Sequence, residues 1–417
     1  MDIKELRKTA LYIFNESIKK VLPDRAVKEK LLKLHFDEDI FIVAIGKAAW
    51  RMAQSTVETL GDKVKNGIVI TKYSHSKGHI DKLDIYEAGH PVPDENTIKA
   101  AKQLLYKLSQ IDKKTRILFL VSGGGSSLFE LPREGITLSD LQKITESLLK
   151  SGANIVEINA VRKHLSAVKG GRFAEIASPM KITTLALSDV LDDKIDSIAS
   201  GPAYPDSSTS NEAISILKEY NIDISKEISN ALKKETPKSL NNIESFIIGN
   251  VTMVCEEALK IASEMSYNAT ILTTSLDCEA REAGKFFGSM IHEINAENRP
   301  LKRPCVIIAG GETVVHVTGN GKGGRNQELA LSAAIKIKGL DKAILLSAGT
   351  DGTDGPTDSA GGLVDGFSYS RLLNKDVNPV DELKKSNSYN ALEKSGDLVK
   401  TGPTGTNVND LILIIVE

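Results

Sequence analysis

The sequence predicts a two-domain α/β protein, and three observations carry that expectation. Its 417 residues exceed the roughly 250–300 at which one hydrophobic core stops growing. A unit recurs along it: a short apolar, β-branched run, then a Gly-rich or polar turn, then an amphipathic helical pattern. Nine such runs stand out, at 40–45, 67–71, 117–121, 183–187, 245–248, 270–273, 305–309, 343–347 and 411–416. Continuous apolar strands alternating with helices belong to sheets covered on both faces, and these are mainly parallel.

Residues 1–22 carry Ile3, Leu6, Ala10, Ile13, Phe14 and Val21 at helical spacing with charges between them. This predicts a core-docked amphipathic helix rather than a signal peptide. No unbroken apolar run reaches the about 18 residues a membrane span needs, so no transmembrane helix is expected and the compartment expected is cytoplasmic. The stretch 233–242, KKETPKSLNN, is polar, holds Pro237 and lacks apolar periodicity. It sets the expected junction between a mainly parallel α/β domain over 1–237 and a C-terminal α/β domain over 238–417. In the second half, residues 314–317 follow the run at 305–309 so soon that they read as a hairpin partner, which makes the second sheet mixed.

Composition narrows the function classes. Lys and Arg total 53 against 55 Asp and Glu, a formal net charge of -2. No segment concentrates basic residues with aromatics, which excludes a nucleic-acid binder. Cys255, Cys278 and Cys305 lack disulfide or zinc-ligand spacing and read as buried free thiols.

Ligands of open parallel sheets bind outside the carboxyl ends of the strands, so the chemistry is sought in the turns. After the run at 117–121 come Ser122, Gly123, Gly124, Gly125, Ser126 and Ser127. A plain turn needs one glycine, whereas three, with three hydroxyls, form a nest of amides for phosphate or carboxylate oxygens. Lys47 follows Gly46 at the end of the first run, without the spacing of a P-loop. A lysine at the positive start of a helix is poorly placed unless it meets an anion. Within 159–172, Arg162 and Lys169 lie seven apart, on one side of a helix, where a solvated basic face is the plain alternative. His164 reads as structural. In GNGKGGRNQE at 319–328, Gly319, Gly321 and Gly324 satisfy GxGxxG. The adjoining Lys322 and Arg325 fit a transferring phosphoryl group better than a dinucleotide, and the planar fork of Arg325 suits its oxygens. Asp189, Glu312, Asp351, Asp354 and Asp358 supply hard oxygens of the kind Mg²⁺ takes beside phosphate. The alternative for the 351–358 run is a series of Asx turns.

In order along the chain, GKAA (46–49), GHPVPD (89–94), SGGGSSL (122–128), NAVRKHLSAVKGGR (159–172), LSDV (187–190), SGP (200–202), GGET (310–313), GGRNQE (323–328) and GTDGTDGPTDSAGG (349–362) closely resemble the glycerate 2-kinases. That family is also described by its C-terminal MOFRL domain, and the resemblance covers nearly the whole chain. It implies a Rossmann-like N-terminal domain, a C-terminal α/β domain of its own kind, and a site in the cleft between them. The implied reaction is ATP-dependent phosphorylation of D-glycerate at its 2-hydroxyl, giving 2-phosphoglycerate and ADP with Mg²⁺.

Lys47 and Arg325 match the family's catalytic basic residues. The 122–127 loop, Arg162, Lys169, Gly323, Gly324 and Asn326 are the expected substrate- and nucleotide-binding set. Asp189 is the first candidate for proton acceptor and Asp351 the second. Asp351, Glu312 and Asp189 are the candidate metal ligands. The partners implied are D-glycerate and ATP, with neither nucleic acid nor membrane, and monomer and homo-oligomer are equally compatible. Two other classes stand beside this reading. An NAD(P)H-dependent hydroxypyruvate reductase draws on the GxGxxG match, although no acidic residue follows at the usual ribose position. A non-catalytic hydroxy-acid-binding protein would use the same pocket without turnover.

Overall fold

The computed structural model describes residues 2–190 and 196–417. The chain divides into two compact units, Pro23–Ile248 and Met1–Leu22 with Gly249–Glu417.

In the first unit, β1 (Ile40–Ile45), β2 (Val64–Lys72), β3 (Leu83–Ala88), β4 (Arg116–Val121), β5 (Ile182–Leu187) and β6 (Ile243–Gly249) form one sheet, in the order β3-β2-β1-β4-β5-β6. The pairings from β3 through β5 are all parallel. This is the strand order of a doubly wound sheet, which reverses direction between β1 and β4 and opens a crevice there. The residues of β1 show why the strand is apolar throughout. Phe41, Val43 and Ile45 enter a core with Phe119 and Phe173, while Ile40, Ile42 and Ala44 enter another with Leu118, Leu120 and Leu185. Side chains alternate across a strand, so both faces of this one are buried.

In the second unit, β7 (Asn268–Leu276), β8 (Cys305–Gly311), β9 (Ala343–Gly349), β10 (Gly361–Asp365), β11 (Leu398–Val399) and β12 (Asp410–Val416) form a sheet in the order β11-β10-β9-β12-β8-β7. Only β7 and β8 pair in parallel; the other four pairings are antiparallel. The sheet is mixed as expected, but for a different reason. Residues 314–317 form no strand, and Val314 makes an isolated bridge to Glu279. Past β8 the chain crosses the end of β7, with Glu312 N donating to Leu276 O at 2.7 Å, instead of folding back. The antiparallel partner of β8 is β12, from the far end of the chain. Its Leu411, Leu413 and Ile415 face one core and its Ile412, Ile414 and Val416 the other.

The helix Ile3–Lys19, capped by Asp2, docks as expected, but on the second unit. Leu6, Ile13 and Phe14 are fully buried beside β8, β9 and β12 residues such as Ile308, Leu346 and Leu413. At roughly 1.5–3 kcal/mol for each large apolar side chain removed from water, these three anchor the helix there. The expected junction at 237/238 also falls short of the observed division at 248/249. The polar stretch before it is a surface connection held to its own unit: Glu235 binds His164 at 3.0 Å and Thr236 donates to Asp206 at 2.9 Å. The next residues form β6 of the first sheet. Cys255 and Cys305 are buried as expected, whereas Cys278 is exposed. Among the described residues, no helix is long and apolar enough to cross a membrane.

Candidate active site

The crevice side of the first sheet collects three of the turns singled out from sequence. After β1, Gly46 takes a left-handed φ of 115°, and a Cβ there would lie 2.3 Å from Ser122 Oγ. That close approach locks the β1 and β4 turns together. Lys47 N donates to Gly123 O at 2.9 Å, and Ala48 N donates to Ser122 Oγ at 3.1 Å. Ser122 thus caps the helix Ala49–Leu60, whose own N-cap position is an alanine. Among the described residues the half-buried Lys47 ammonium makes no ion pair, and the amides of Gly123 and Gly124 have no acceptor. A free cation beside two open amides is an anion-binding arrangement.

Asp189, past β5, closes the third side. A Cβ on Gly123 would lie 2.5 Å from Asp189 Oδ2, so the carboxylate sits directly against the glycine loop. Burial pushes its pKa up, with partial opposition from the charge of Lys47. A raised carboxylate is a better proton acceptor. Gly123→Ala is expected to lower kcat about 100-fold, the cost of displacing a reacting group by an ångström, while the melting temperature stays near wild type. Steady-state kinetics beside a thermal melt check this.

The other members of the predicted set support the loop from behind. The hydroxyls of Ser122, Ser126 and Ser127 are used within the unit, Ser126 Oγ meeting Ser200 Oγ at 2.7 Å and Ser127 Oγ donating to Gly124 O at 3.1 Å. Ser200 and its neighbour Ala199 both hold left-handed backbone, at φ of 60° and 52°, a strained conformation for non-glycine residues. Lys169 is fully buried; its Nζ donates to Ser126 O at 2.6 Å and Phe129 O at 2.7 Å and lies 3.4 Å from Glu130. Arg162 donates to the same Ser126 O at 3.2 Å. Both were expected to meet a ligand, and in the structure both grip the loop's backbone. Nor do they share one helix, because the helix Ile155–Leu165 ends before Lys169. The left-handed Gly170 and Gly171, at φ of 54° and 83°, turn the chain after it. His164 is structural as expected, bound to Ala160 O and Glu235.

In the second unit the residues singled out from sequence gather around Arg325, first residue of the helix Arg325–Lys336. Its guanidinium grips Asp410 with two bonds, Nε to Oδ2 at 2.6 Å and Nη2 to Oδ1 at 3.1 Å, and donates through Nη1 to Glu312 at 2.6 Å. Burial would lower the Arg325 pKa, but the bonds and charges of Asp410 and Glu312 outweigh it and hold the group charged. Asn326 and Gln327 offer their amides to Asp354, at 3.2 and 2.9 Å. Burial carries Asp354 up to about 7 against those amides.

Gly324 allows this approach, since a Cβ there would lie 2.3 Å from Asp354 Cγ. Gly323 packs likewise on Ser388 Oγ, at 2.2 Å from a would-be Cβ. The Asn326 side chain accepts from Ser347 Oγ at 2.6 Å, so it is held in the core of the unit. Asp351 accepts from Thr353 N at 2.9 Å in an Asx turn, as the plain alternative held, and Asp358 pairs with Tyr389 and Lys400 at the surface. The start of this helix is therefore filled by a carboxylate of the chain itself. A dinucleotide turn leaves that position open for the pyrophosphate, which counts against the GxGxxG reading.

Three residues at these turns were not singled out from sequence: Asp410, Glu130 and His90, whose ring lies against Gly124, 2.8 Å from a would-be Cβ there. Asp410 carried a signal, an acid at the head of an otherwise wholly apolar strand; Glu130 carried none. His90 was visible only inside the GHPVPD motif. Among the described residues no group of three or more His, Cys, Asp or Glu side chains is arranged to hold a metal ion.

Comparison with known proteins agrees with both halves. A family described as a domain of unknown function, DUF4147, matches residues 9–233, and the MOFRL family matches residues 305–410. The chain is 59% identical over 415 residues to D-glycerate 2-kinase of Thermotoga maritima, covering 100% of this chain and 99% of that protein. It is 42% identical to glycerate 2-kinase of Pyrococcus horikoshii, over 100% of this chain and 98% of that one. A crystal structure of glycerate kinase from Thermotoga maritima superposes with a TM-score of 0.97 at 58% identity, covering 99% of this chain and 100% of that structure.

Proposed function

The chain belongs to the glycerate 2-kinase family, and we infer that it transfers a phosphoryl group from ATP to the 2-hydroxyl of D-glycerate, giving 2-phosphoglycerate and ADP. The observation that carries the mechanism is the convergence of Lys47, Asp189 and the open Gly123 and Gly124 amides at the carboxyl ends of β1, β4 and β5. The amides and Lys47 receive anionic oxygens. Asp189 accepts the proton of the 2-hydroxyl as that oxygen bonds to phosphorus and the bond to the ADP oxygen breaks. In phosphoryl transfer, positioning and charge stabilisation supply most of the rate. Asp189 is favoured over Asp351 as the acceptor because it lies against the glycine loop and burial raises its pKa, while Asp351 turns one oxygen, Oδ1, to Thr353 in its own unit.

Arg325 offers a second fixed charge for phosphate oxygens, held by Asp410 and Glu312. Mg²⁺ is the expected companion of ATP, and it takes one or two carboxylates, completing its shell with phosphate oxygens and water. Asp351 Oδ1 approaches Gly349, at 3.3 Å from a would-be Cβ, beside Asp410, whose two oxygens are taken by Arg325, which leaves Asp351 and Glu312 as the carboxylates for that role. Asp351 and Glu312 would hold the ion, which would neutralise phosphate charge, leaving Asp189 to the proton. A cytoplasmic compartment, where ATP is abundant, suits this reaction.

The test is incubation of the purified protein with D-glycerate, Mg²⁺ and ATP, followed by ³¹P NMR. ADP and 2-phosphoglycerate are the expected products. Nicotinamide oxidation with hydroxypyruvate and no phosphoryl transfer would overturn the kinase reading in favour of the reductase, and binding of glycerate without turnover would favour the non-catalytic one.

A further inference from the structure

The motif GHPVPD has no part in the mechanism above, yet it delivers a side chain to the same glycine loop. Gly89 lets the 89–94 segment fold tightly, since a Cβ there would lie 2.5 Å from Val92 O. Asp94 fixes the far end, capping the helix Glu95–Gln110 through Thr97 N at 3.0 Å and accepting from Tyr73 OH at 2.5 Å. The half-buried imidazole of His90 is thereby laid against Gly124, where a Cβ would come within 2.8 Å of its Cδ2, 2.9 Å of its Nε2 and 3.3 Å of Lys47 Cγ. His90 and Lys47 thus flank one glycine. Among the described residues the His90 ring makes no hydrogen bond to another residue, although it carries a donor and an acceptor.

The position of Asp189 decides what the imidazole faces. The carboxylate that takes the 2-hydroxyl proton lies against Gly123, so the hydroxy acid must lie over the Gly123–Gly124 peptide, and the ring across Gly124 borders it. We propose that His90 is a substrate-contacting residue of the reaction, hydrogen-bonding the hydroxy acid through Nε2 across Gly124. The chemistry of the surroundings suits this role. Burial first, then the charges of Lys47, Lys72 and His75, bring the His90 pKa down to about 4, so the ring is neutral at pH 7. Lys47 meets the anionic oxygens; a neutral ring beside it reads hydroxyl and carboxylate geometry without adding a further cation.

This inference rests on the kinase reading, and two readouts separate their failures. In the first, D-glycerate is varied at saturating ATP, and then ATP at saturating D-glycerate, for wild type, His90→Ala and His90→Gln. The alanine variant is expected to lose about 10–100-fold in kcat/KM for D-glycerate with KM for ATP unchanged, and glutamine, which keeps an N–H near the Nε2 position, to recover part of it. A loss under about threefold, or equal losses for both substrates, would overturn the proposal. In the second, ¹⁵N-histidine-labelled protein is titrated with D-glycerate alone, and the His90 ring resonances are expected to shift with the bound fraction. Wild type that makes no 2-phosphoglycerate defeats the kinase reading, while the titration still decides His90: resonances that stay put as glycerate binds, or glycerate that does not bind at all, overturn it.

Discussion

Replacing either Arg325 or Lys47 with alanine is expected to lower kcat about 10²- to 10³-fold, the scale of one preorganised group that stabilises developing charge. The two should act alike because each presents a fixed cation. Lys47 is held by its backbone, which bonds Gly123 O at 2.9 Å, and its ammonium is left uncommitted. Arg325 is held by its side chain, clamped between Asp410 and Glu312. Arg325→Lys therefore makes the sharper test. Lysine keeps the charge but has no planar fork to span two carboxylates, so it should recover little of the lost rate, whereas Lys47→Arg keeps the charge on a backbone that holds its place. Because Asp410 is only 2% exposed, losing Arg325 also strands a buried carboxylate, and thermal melts must accompany the kinetics. Near-normal turnover in both alanine variants would sink the assignment.

The sequence made legible what depends on local order. The run at 40–45 became β1 with the same bounds, and the turns after β1, β4 and β5 hold the first unit's candidate site residues, because apolar runs and strand-end glycines are local signals. What depends on distant partners was not legible. β3 was missed because LDIYEA is a half-exposed edge strand, without the continuous apolar run of its neighbours. β10 was hidden by Gly361 and Gly362, which read as loop. A Cβ on Gly361 would lie 2.0 Å from Ser347 O, so glycine is what lets this strand lie close to β9. The amphipathic pattern of the first helix announces an apolar face but not which core receives it. Arg162 and Lys169 were grouped for their spacing, yet they meet at Ser126 O through a turn between them rather than along a helix.

That meeting point yields the largest stability effect. Lys169→Met is expected to destabilise the protein by about 3 kcal/mol at pH 7, the lower end of the range for breaking a buried ion pair by removing one partner. Methionine has nearly the length of the lysine stem and packs well, so little cavity is left and the transfer of its thioether is favourable. Against that gain stands the carbonyl of Phe129, which loses its donor and costs about 1–3 kcal/mol if left unpaired, while Ser126 O keeps Arg162 at 3.2 Å. Glu130, 1% exposed, keeps the Leu131 amide at 3.0 Å, but its one remaining cation is Arg162, at 3.9 Å. The unpaired groups win.

The pH dependence supplies an independent check. Burial outweighs the attraction of Glu130 and lowers the Lys169 pKa to about 8, below the roughly 10.4 of an unfolded lysine. Between those values the unfolded chain binds more protons than the folded one, so this group's contribution to stability rises with pH across that window. Denaturant unfolding from pH 7 to 10 should show the rising component in wild type and not in the methionine variant. A variant as stable as wild type at pH 7, with the same slope, would mean that the buried lysine is not what holds the glycine loop in place.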